Sequence, residues 1–316
     1  MVDYSLLKDI KQYDGGDKAY SHITEVLIPT CIKHIQDTYR PYSRGSLVLT
    51  DKRCGSVNNI GGYYDKRMEA DIVLFIYTVM EKSGAVAFSR ACQYDPGTGR
   101  PIAGEIGLNL FHMNDFRSSN FENNFMTIVH EIHHVLGFTS FFFGRYAISG
   151  TSKPKPIDQV FTMEGDAPFP YKIVLKEVKE FAMKHYACNN LEGVPLENAG
   201  SQGTAASHWD KFVAANDMMG PTDYSNPVFS ELTMRLMEGT GWYKVNYDMK
   251  EAFFWGKNAG CRIFSGKCSS SPMTCSELME DMCSIDYLAG GYCGGDKYTE
   301  NCPVFKEEGK GDCRFT

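Results

Sequence analysis

Residues 129–138 read VHEIHHVLGF and place His130 and His134 four positions apart, with Glu131 between them. On an α-helix, positions i and i+4 lie on one face, so both imidazoles can bind the same metal ion. Glu131 would lie beside the ion without binding it, where a carboxylate can take a proton from a polarised water molecule. The spacing therefore predicts metal-assisted hydrolysis at a zinc site, with Glu131 as the general base.

A helix is expected around this motif. Ser119 or Asn120 is a candidate N-cap, and Glu122 completes a capping box with Ser119. Gly137 is predicted to end the helix, because glycine tolerates the positive φ found at helix C-termini. An apolar stripe follows helical spacing and faces away from the two ligand histidines; it consists of Phe125, Ile128, Val129, Ile132 and Leu136.

A catalytic zinc site has three protein ligands and one open position, so a third ligand is required outside the helix. His208 is the candidate, because a glycine-rich segment precedes it and a Met-Gly-Pro turn follows it. His133 is interpreted as a residue that packs beside the ligands or supports them. The remaining histidines stand without partner residues in the sequence and are interpreted as surface or structural: His22, His34, His112 and His185.

These motifs resemble those of the metzincin proteases, whose extended pattern is His-Glu-x-x-His-x-x-Gly-x-x-His. In this chain the third histidine arrives only at His208, and a long insertion at this point is typical of the leishmanolysin family, which the chain closely resembles. Further similar segments cover most of residues 54–268. They are ACQYDPGTGRPIAGEIGLNL, CNNLEGVPLENAGSQGTAASHW, NDMMGP, ELTMRLMEGTGWY and WGKNAGCRIFSGKC.

The resemblance implies that His130, His134 and His208 bind one Zn²⁺ ion and that the glutamate of the motif is the general base. It also implies that Met219 is the methionine beneath the metal, with the adjacent Met218 as the alternative. The expected reaction is hydrolysis of peptide bonds in proteins and peptides. Two alternatives stay open: a catalytically inactive homologue that acts in adhesion or binding at the cell surface, and a zinc hydrolase with a non-peptide substrate.

The expected fold is α+β, built on a metzincin-type catalytic module. Residues 1–137 would form an N-terminal catalytic subdomain that ends in the active helix. Residues 138–260 would form a central subdomain with the third ligand and the methionine turn, and residues 261–316 a short disulfide-rich module.

The coarse pattern predicts helices at residues 18–39, at 173–187, and from Ser225 or Asn226 to Glu238, with Pro227 in the first turn of the last. It predicts strands at residues 71–81 and 101–110. The second of these strands is expected at the edge of the sheet, where an extended peptide could add to it.

Seven of the 11 cysteines follow residue 260, in a stretch rich in Gly, Ser and Lys. This pattern predicts a disulfide-linked module, and the absence of a C-x-x-C pair disfavours structural zinc. By resemblance to the family, Cys54 pairs with Cys92 and Cys188 with Cys261. The six later cysteines would then pair among themselves, which leaves Cys31 as a buried free thiol.

The net charge of -7 argues against nucleic acid as a partner. The cysteine content and the resemblance predict an extracellular or cell-surface protein, which we expect to be monomeric. The sequence shows no signal peptide, no transmembrane run and no glycolipid-anchor signal. We interpret the missing signal peptide as a truncated N-terminus.

Overall fold

The computed structural model describes most of the 316 residues. The described residues are 1–7, 10–11, 16–42, 45–113, 120–165, 167, 169–200, 203–222, 226–276, 282–285 and 289–307. They divide into two compact units: Met1–Phe138 with Arg145–Pro154 and Thr240–Met249, and Thr139–Gly144 with Lys155–Gly239 and Lys250–Thr316. The three-part division expected from the sequence stays a prediction.

The chain mixes helices and strands, as expected for an α+β fold. The strands are β1 (Val2–Leu6), β2 (Tyr39–Pro41), β3 (Leu47–Val48), β4 (Arg67–Met68), β5 (Val73–Val79), β6 (Ala87–Tyr94), β7 (Pro101–Asn109), β8 (Phe161–Met163), β9 (Tyr171–Ile173), β10 (Val194–Pro195), β11 (Tyr243–Val245), β12 (Gly291–Gly294) and β13 (Val304–Glu307). The helices are α1 (Gly16–Ser21), α2 (Ile28–Thr38), α3 (Phe121–Leu136), α4 (Lys176–Tyr186), α5 (Lys211–Ala214) and α6 (Glu231–Gly239), with a π-helical turn at His22–Leu27. Short 3₁₀ turns lie at Gly61–Tyr63, Ser140–Arg145, Ile157–Gln159, Tyr247–Met249, Cys261–Ser265, Cys268–Ser270 and Lys297–Thr299.

The main sheet of the first unit has the strand order β1-β5-β7-β6. Strands β1, β5 and β7 run parallel, and β6 runs antiparallel to β7. The edge position expected for residues 101–110 is therefore wrong, because β7 is an interior strand and β1 and β6 form the two edges. Every residue of β7 is buried, whereas only Ala87 and Gln93 of β6 are buried.

Two glycines explain why β7 lies in the interior. A Cβ atom at Gly104 would lie 2.3 Å from Val135 Cγ1 of α3, and one at Gly107 would lie 2.5 Å from Phe88 Cζ of β6. Neighbouring side chains therefore fill the space that side chains on β7 would occupy. Helix α3 packs on β6 and β7 through this close approach.

The helix expected at residues 18–39 is present as α1, the π-helical turn and α2. Pro29 lies in the first turn of α2. Because proline has no backbone N–H, it cannot continue the hydrogen-bond ladder of the preceding turn, and the segment changes helix type there.

In the second unit, β8, β9 and β10 form an antiparallel sheet, and α4 packs on α6. Helix α6 begins at Glu231, so the predicted start with Pro227 in its first turn is wrong. The backbone of Val228 instead bonds to Asn216 and Met218, at 2.8 and 2.9 Å. This bridge holds the segment extended; the Ser225 alternative for the cap lies outside the described residues.

The disulfides Cys54–Cys92 and Cys188–Cys261 are present, as the resemblance implied. In the C-terminal module, Cys268 pairs with Cys302 and Cys275 with Cys293. Cys283 has no disulfide partner among the described residues, and Cys313 lies outside them. Cys31 is a buried free thiol, as predicted. None of the helices in the described ranges is both long and apolar enough to cross a membrane.

We expect Gly104→Ala to destabilise the first unit by about 1–3 kcal/mol, because the new methyl group would overpack Val135 and the backbone oxygen of Arg90. The matched control is Gly62→Ala, whose Cβ would meet only Lys66 Nζ at 3.5 Å, and it should change stability by no more than about 0.5 kcal/mol. Urea unfolding followed by tryptophan fluorescence measures both. Equal stability of the two variants would contradict the close approach of α3 to β7.

Candidate metal centre

In the first unit, α3 places His130 and His134 side by side. Their Nε2 atoms lie 3.0 Å apart, and both residues are partly exposed on a helix that is otherwise largely buried. Nδ1 of His134 lies 2.7 Å from the carbonyl oxygen of Phe138. A carbonyl can only accept, so Nδ1 carries the proton and Nε2 carries the lone pair that a metal needs.

The end of α3 fixes the position of His134. Gly137 has a φ of 135°, and its N–H donates to the carbonyls of His133 and His134 at 3.0 and 3.2 Å. A Cβ at this position would lie 2.9 Å from the Trp242 ring, and the Tyr146 hydroxyl donates to the carbonyl oxygen of Gly137 at 2.8 Å. Glycine is therefore required both for the backbone angle and for the close packing.

Asn120 lies at the N-cap of α3 without a side-chain capping bond, and Ser119 lies outside the described residues. The apolar stripe packs inward except for Phe125, which is half-buried against the His34 ring. Burial also extends beyond the stripe to Val135. The helix is therefore enclosed on more sides than its apolar pattern predicts.

His133 is completely buried and turned away from its two neighbours. Its Nε2 lies 2.8 Å from the Tyr39 hydroxyl and its Nδ1 lies 2.7 Å from the Val129 carbonyl oxygen. Burial lowers the pKa of His133 to about 3, so the ring is neutral. Both ring nitrogens have protein partners, which agrees with a packing and supporting role.

Glu131 is 6% exposed and lies one residue after His130. The hydroxyl of Ser89, on β6, donates to its backbone oxygen at 2.8 Å. This bond links the middle of the motif to β6, one of the two edge strands of the sheet.

In the second unit, His208 lies at the end of a loop, and backbone hydrogen bonds to Glu197 hold the two ends of this loop together. The N–H of Glu197 donates to the His208 carbonyl at 3.0 Å, and the N–H of Ala206 donates to the Glu197 carbonyl at 2.8 Å. His208 Nδ1 lies 3.0 Å from the Thr204 carbonyl oxygen. As in His134, the carbonyl assigns the proton to Nδ1 and the lone pair to Nε2.

Met219 is completely buried, and Met218 is 5% exposed. The N–H of Trp209, the residue after His208, donates to the Met219 carbonyl at 2.9 Å. The second unit therefore brings His208 and Met219 together through their backbones.

A buried carboxylate braces this turn. Asp217 is 1% exposed; its Oδ1 accepts from the Met219 N–H at 2.7 Å and from the Thr233 hydroxyl at 2.8 Å, and its Oδ2 accepts from the Ser230 hydroxyl. The Trp209 indole N–H donates to the same Thr233 hydroxyl at 2.9 Å. The sequence reasoning missed this network, although an aspartate two residues before the turn methionine is a signal for a side-chain-capped turn.

The histidines interpreted as surface or structural residues lie in packed or exposed positions. His185 Nε2 lies 2.8 Å from the Trp255 carbonyl oxygen, and its ring stacks on Phe181 and Phe253. The His22 ring lies edge-on to Phe121, and His112 is exposed.

The residues of each unit fit zinc. Two Nε2 atoms at 3.0 Å are close to the separation of about 3.3 Å expected for two imidazoles on one tetrahedral zinc ion. In the second unit, the carbonyl-bound Nδ1 of His208 leaves its Nε2 with the lone pair that a metal needs. Three histidines are a donor set that catalytic zinc sites use, and Nδ1–H bonds to carbonyls are the usual support of such ligands.

Comparisons with known proteins agree with these features. The sequence pattern described as leishmanolysin matches residues 23–307. A leishmanolysin-like peptidase of Caenorhabditis elegans is 32% identical over 245 residues, which cover 67% of this chain and 35% of that protein. Leishmanolysin of Leishmania chagasi is 26% identical over 283 residues, which cover 87% of this chain and 44% of that protein. The chain thus spans less than half the length of these relatives.

Peptidases of the leishmanolysin family are zinc metalloproteases. The matched range includes the histidine pair of α3, the loop that carries the third histidine and the methionine turn. The chain belongs to the leishmanolysin family.

Proposed function

We propose that this chain is a zinc-dependent endopeptidase that hydrolyses peptide bonds in proteins, with His130, His134 and His208 as the ligands of one Zn²⁺ ion and Glu131 as the general base. The observation that carries the proposal is the pair of Nε2 atoms at 3.0 Å beside a buried glutamate, in a member of a metalloprotease family. His208 is supported by its carbonyl-bound Nδ1, which matches that of His134.

Zinc, when bound, would polarise the attacking water and the scissile carbonyl. Glu131 takes the proton of the water as general base and returns it to the amine of the leaving peptide as general acid. Burial of Glu131 favours this role, because a carboxylate shielded from bulk water exchanges its proton with the reacting groups rather than with solvent. The Phe138 and Thr204 carbonyls hold the ligand rings in the orientation that binding requires.

Met219 supports the site through its turn, which bonds to the residue after His208, and Asp217 positions that turn. We propose that the substrates are proteins and peptides, which bind with an extended backbone. Since β6 is an edge strand of the main sheet and bonds to the motif through Ser89, it replaces the strand at residues 101–110 as the place where a substrate backbone would pair. The four disulfides among the described residues are compatible with the proposed extracellular location.

We expect Glu131→Ala to lower the rate of casein cleavage by at least about 10²-fold, because the general base is lost. The variant should retain its zinc, since Glu131 is not a ligand. The matched control is Glu122→Ala, an exposed glutamate of the same helix, which should cleave at the wild-type rate. Casein cleavage and zinc content are measured on the same oxidised preparations.

Two results would count against the protease assignment. If the wild type and Glu131→Ala both bind zinc and neither cleaves casein, the protein is an inactive, binding homologue. If both cleave equally, Glu131 is not the general base.

We expect His208→Ala to weaken zinc binding by at least about tenfold, because two imidazoles remain of the three ligands that a catalytic zinc site requires. His112→Ala removes an exposed histidine and should leave zinc affinity unchanged. Competition with a chromogenic chelator gives both dissociation constants. Wild-type affinity in His208→Ala would remove His208 from the ligand set.

We expect Asp217→Asn to cost about 1.5–3 kcal/mol of stability, because an amide replaces a charged acceptor that serves Met219, Ser230 and Thr233. Zinc affinity should fall as well, since the turn beside His208 loses its brace. The control is Asp158→Asn, an exposed aspartate of the same unit. Urea unfolding and chelator competition give the two values, and an unchanged zinc affinity would limit Asp217 to a stabilising role.

A further inference from the structure

A second group of potential metal ligands lies within the second unit, and the proposed peptidase mechanism does not use it. Glu197, Asp210 and Glu300 each offer one carboxylate oxygen, and these oxygens lie within 4.8 Å of one another. Glu197 and Asp210 have no exposed surface, and Glu300 is partly buried.

One oxygen of each of the two fully buried carboxylates has a backbone partner. Glu197 Oε1 accepts from the Ala199 N–H at 2.7 Å, and Asp210 Oδ1 accepts from the Val213 N–H at 3.0 Å. The second oxygens, Glu197 Oε2 and Asp210 Oδ2, are buried without a hydrogen-bond partner in the described part of the chain. Glu300 Oε1 is in the same condition.

Three such oxygens in one buried place need either a bound cation or protons that the carboxyl groups share, since burial raises the pKa of Glu197 to about 7. An unsatisfied buried carboxylate oxygen is costly, and carboxylates that face each other repel. The same unit shows the ordinary solution at Asp217, where two hydroxyls and a backbone N–H satisfy both oxygens. Two neighbouring lysines, Lys211 and Lys306, could supply positive charge. Both of their ammonium groups instead bind Asp296, which lies outside this group, at 3.4 and 2.8 Å.

We propose that Glu197, Asp210 and Glu300 bind a divalent cation of the calcium type. The donors are all carboxylate oxygens, which hard cations prefer, and Ca²⁺ accepts irregular sets of carboxylates completed by water or carbonyl oxygens. This group shares no residue with the proposed zinc ligands, which are all histidines. It does not depend on the proposed peptidase activity.

The cation would link three segments of the second unit. Glu197 closes the base of the loop through its bond to the His208 carbonyl, and Asp210 caps α5 two residues beyond His208. Glu300 belongs to the C-terminal module, two residues before Cys302 and its disulfide. Binding would therefore hold the C-terminal module against the loop that carries His208, and would stabilise the folded state through linkage.

The test is calorimetric titration of CaCl₂ into the full, zinc-loaded chain after exchange into calcium-free buffer. We expect one Ca²⁺ per chain, with a dissociation constant of about 10⁻⁴–10⁻³ M, as in extracellular calcium sites, and a higher melting temperature with calcium than without. Glu300→Gln, which keeps the shape and removes one charge, should weaken binding by at least about tenfold. Glu180→Gln removes an exposed glutamate of the same unit and should bind as the wild type does.

If the wild type shows no saturable heat up to about 10 mM calcium, ten times the weak end of the extracellular range, the carboxylates share protons and the proposal is wrong. Equal affinity in Glu300→Gln and the wild type would place the calcium elsewhere and also overturn it.

Should Glu300→Gln fail to fold, terbium luminescence excited through Trp209, next to Asp210, provides the second measurement on the wild type. Displacement of terbium by calcium supports the proposal, and absence of sensitised emission contradicts it. Casein cleavage is not a readout here, so failure of this site and failure of the peptidase assignment are distinguishable.

Discussion

The close approach of α3 to β7 is the constraint on which the first unit depends. Gly104 leaves room for Val135, the residue after His134, so the helix lies directly on the sheet at the position of the motif. A larger residue would lift the helix or rotate it, and a rotation would move both histidines because they share one face. Gly137 then ends the helix against Trp242, which fixes the level of the last turn. Packing in the interior of the first unit thus determines where the imidazoles point.

Carbonyl groups complete the orientation of two of the proposed ligand rings. His134 and His208 lie in different units and on different kinds of element, yet in each the Nδ1 faces a backbone carbonyl four residues away. Because the carbonyl cannot donate, each ring is held as the tautomer that presents Nε2. His133 shows the opposite outcome, since both of its nitrogens are engaged by protein groups inside the core. His133 therefore differs from His134 and His208 because its hydrogen-bond partners occupy both ring nitrogens.

The motif helix, its terminating glycine position and two disulfides were predictable from the sequence, because spacing on a helix and resemblance to a family are local or direct signals. The interior position of β7 was not, since its two glycines interrupt the apolar pattern and the residues that fill the gaps belong to α3 and β6. The start of α6 was misplaced because the bridge between Val228 and the methionine turn competes with the helical turn that Pro227 would favour. Asp217, Glu197 and Asp210 look like surface acids in sequence. Only the fold reveals that they are buried.

Because a long insertion precedes His208, zinc binding by this residue depends on how well the second unit orders the chain around it. More than seventy residues separate His134 from His208, so ordering a flexible insertion when the proposed third ligand binds would carry an entropic cost. The second unit reduces this cost before any metal binds, because the fully buried Trp209 and the backbone bonds of Glu197 already order the residues on both sides of His208. Zinc affinity should therefore follow the stability of this loop as well as the identity of the ligands. Two buried acidic residues outside the proposed ligand set are the groups on which that stability depends: Asp217 through its hydroxyl partners and Glu197 through its backbone.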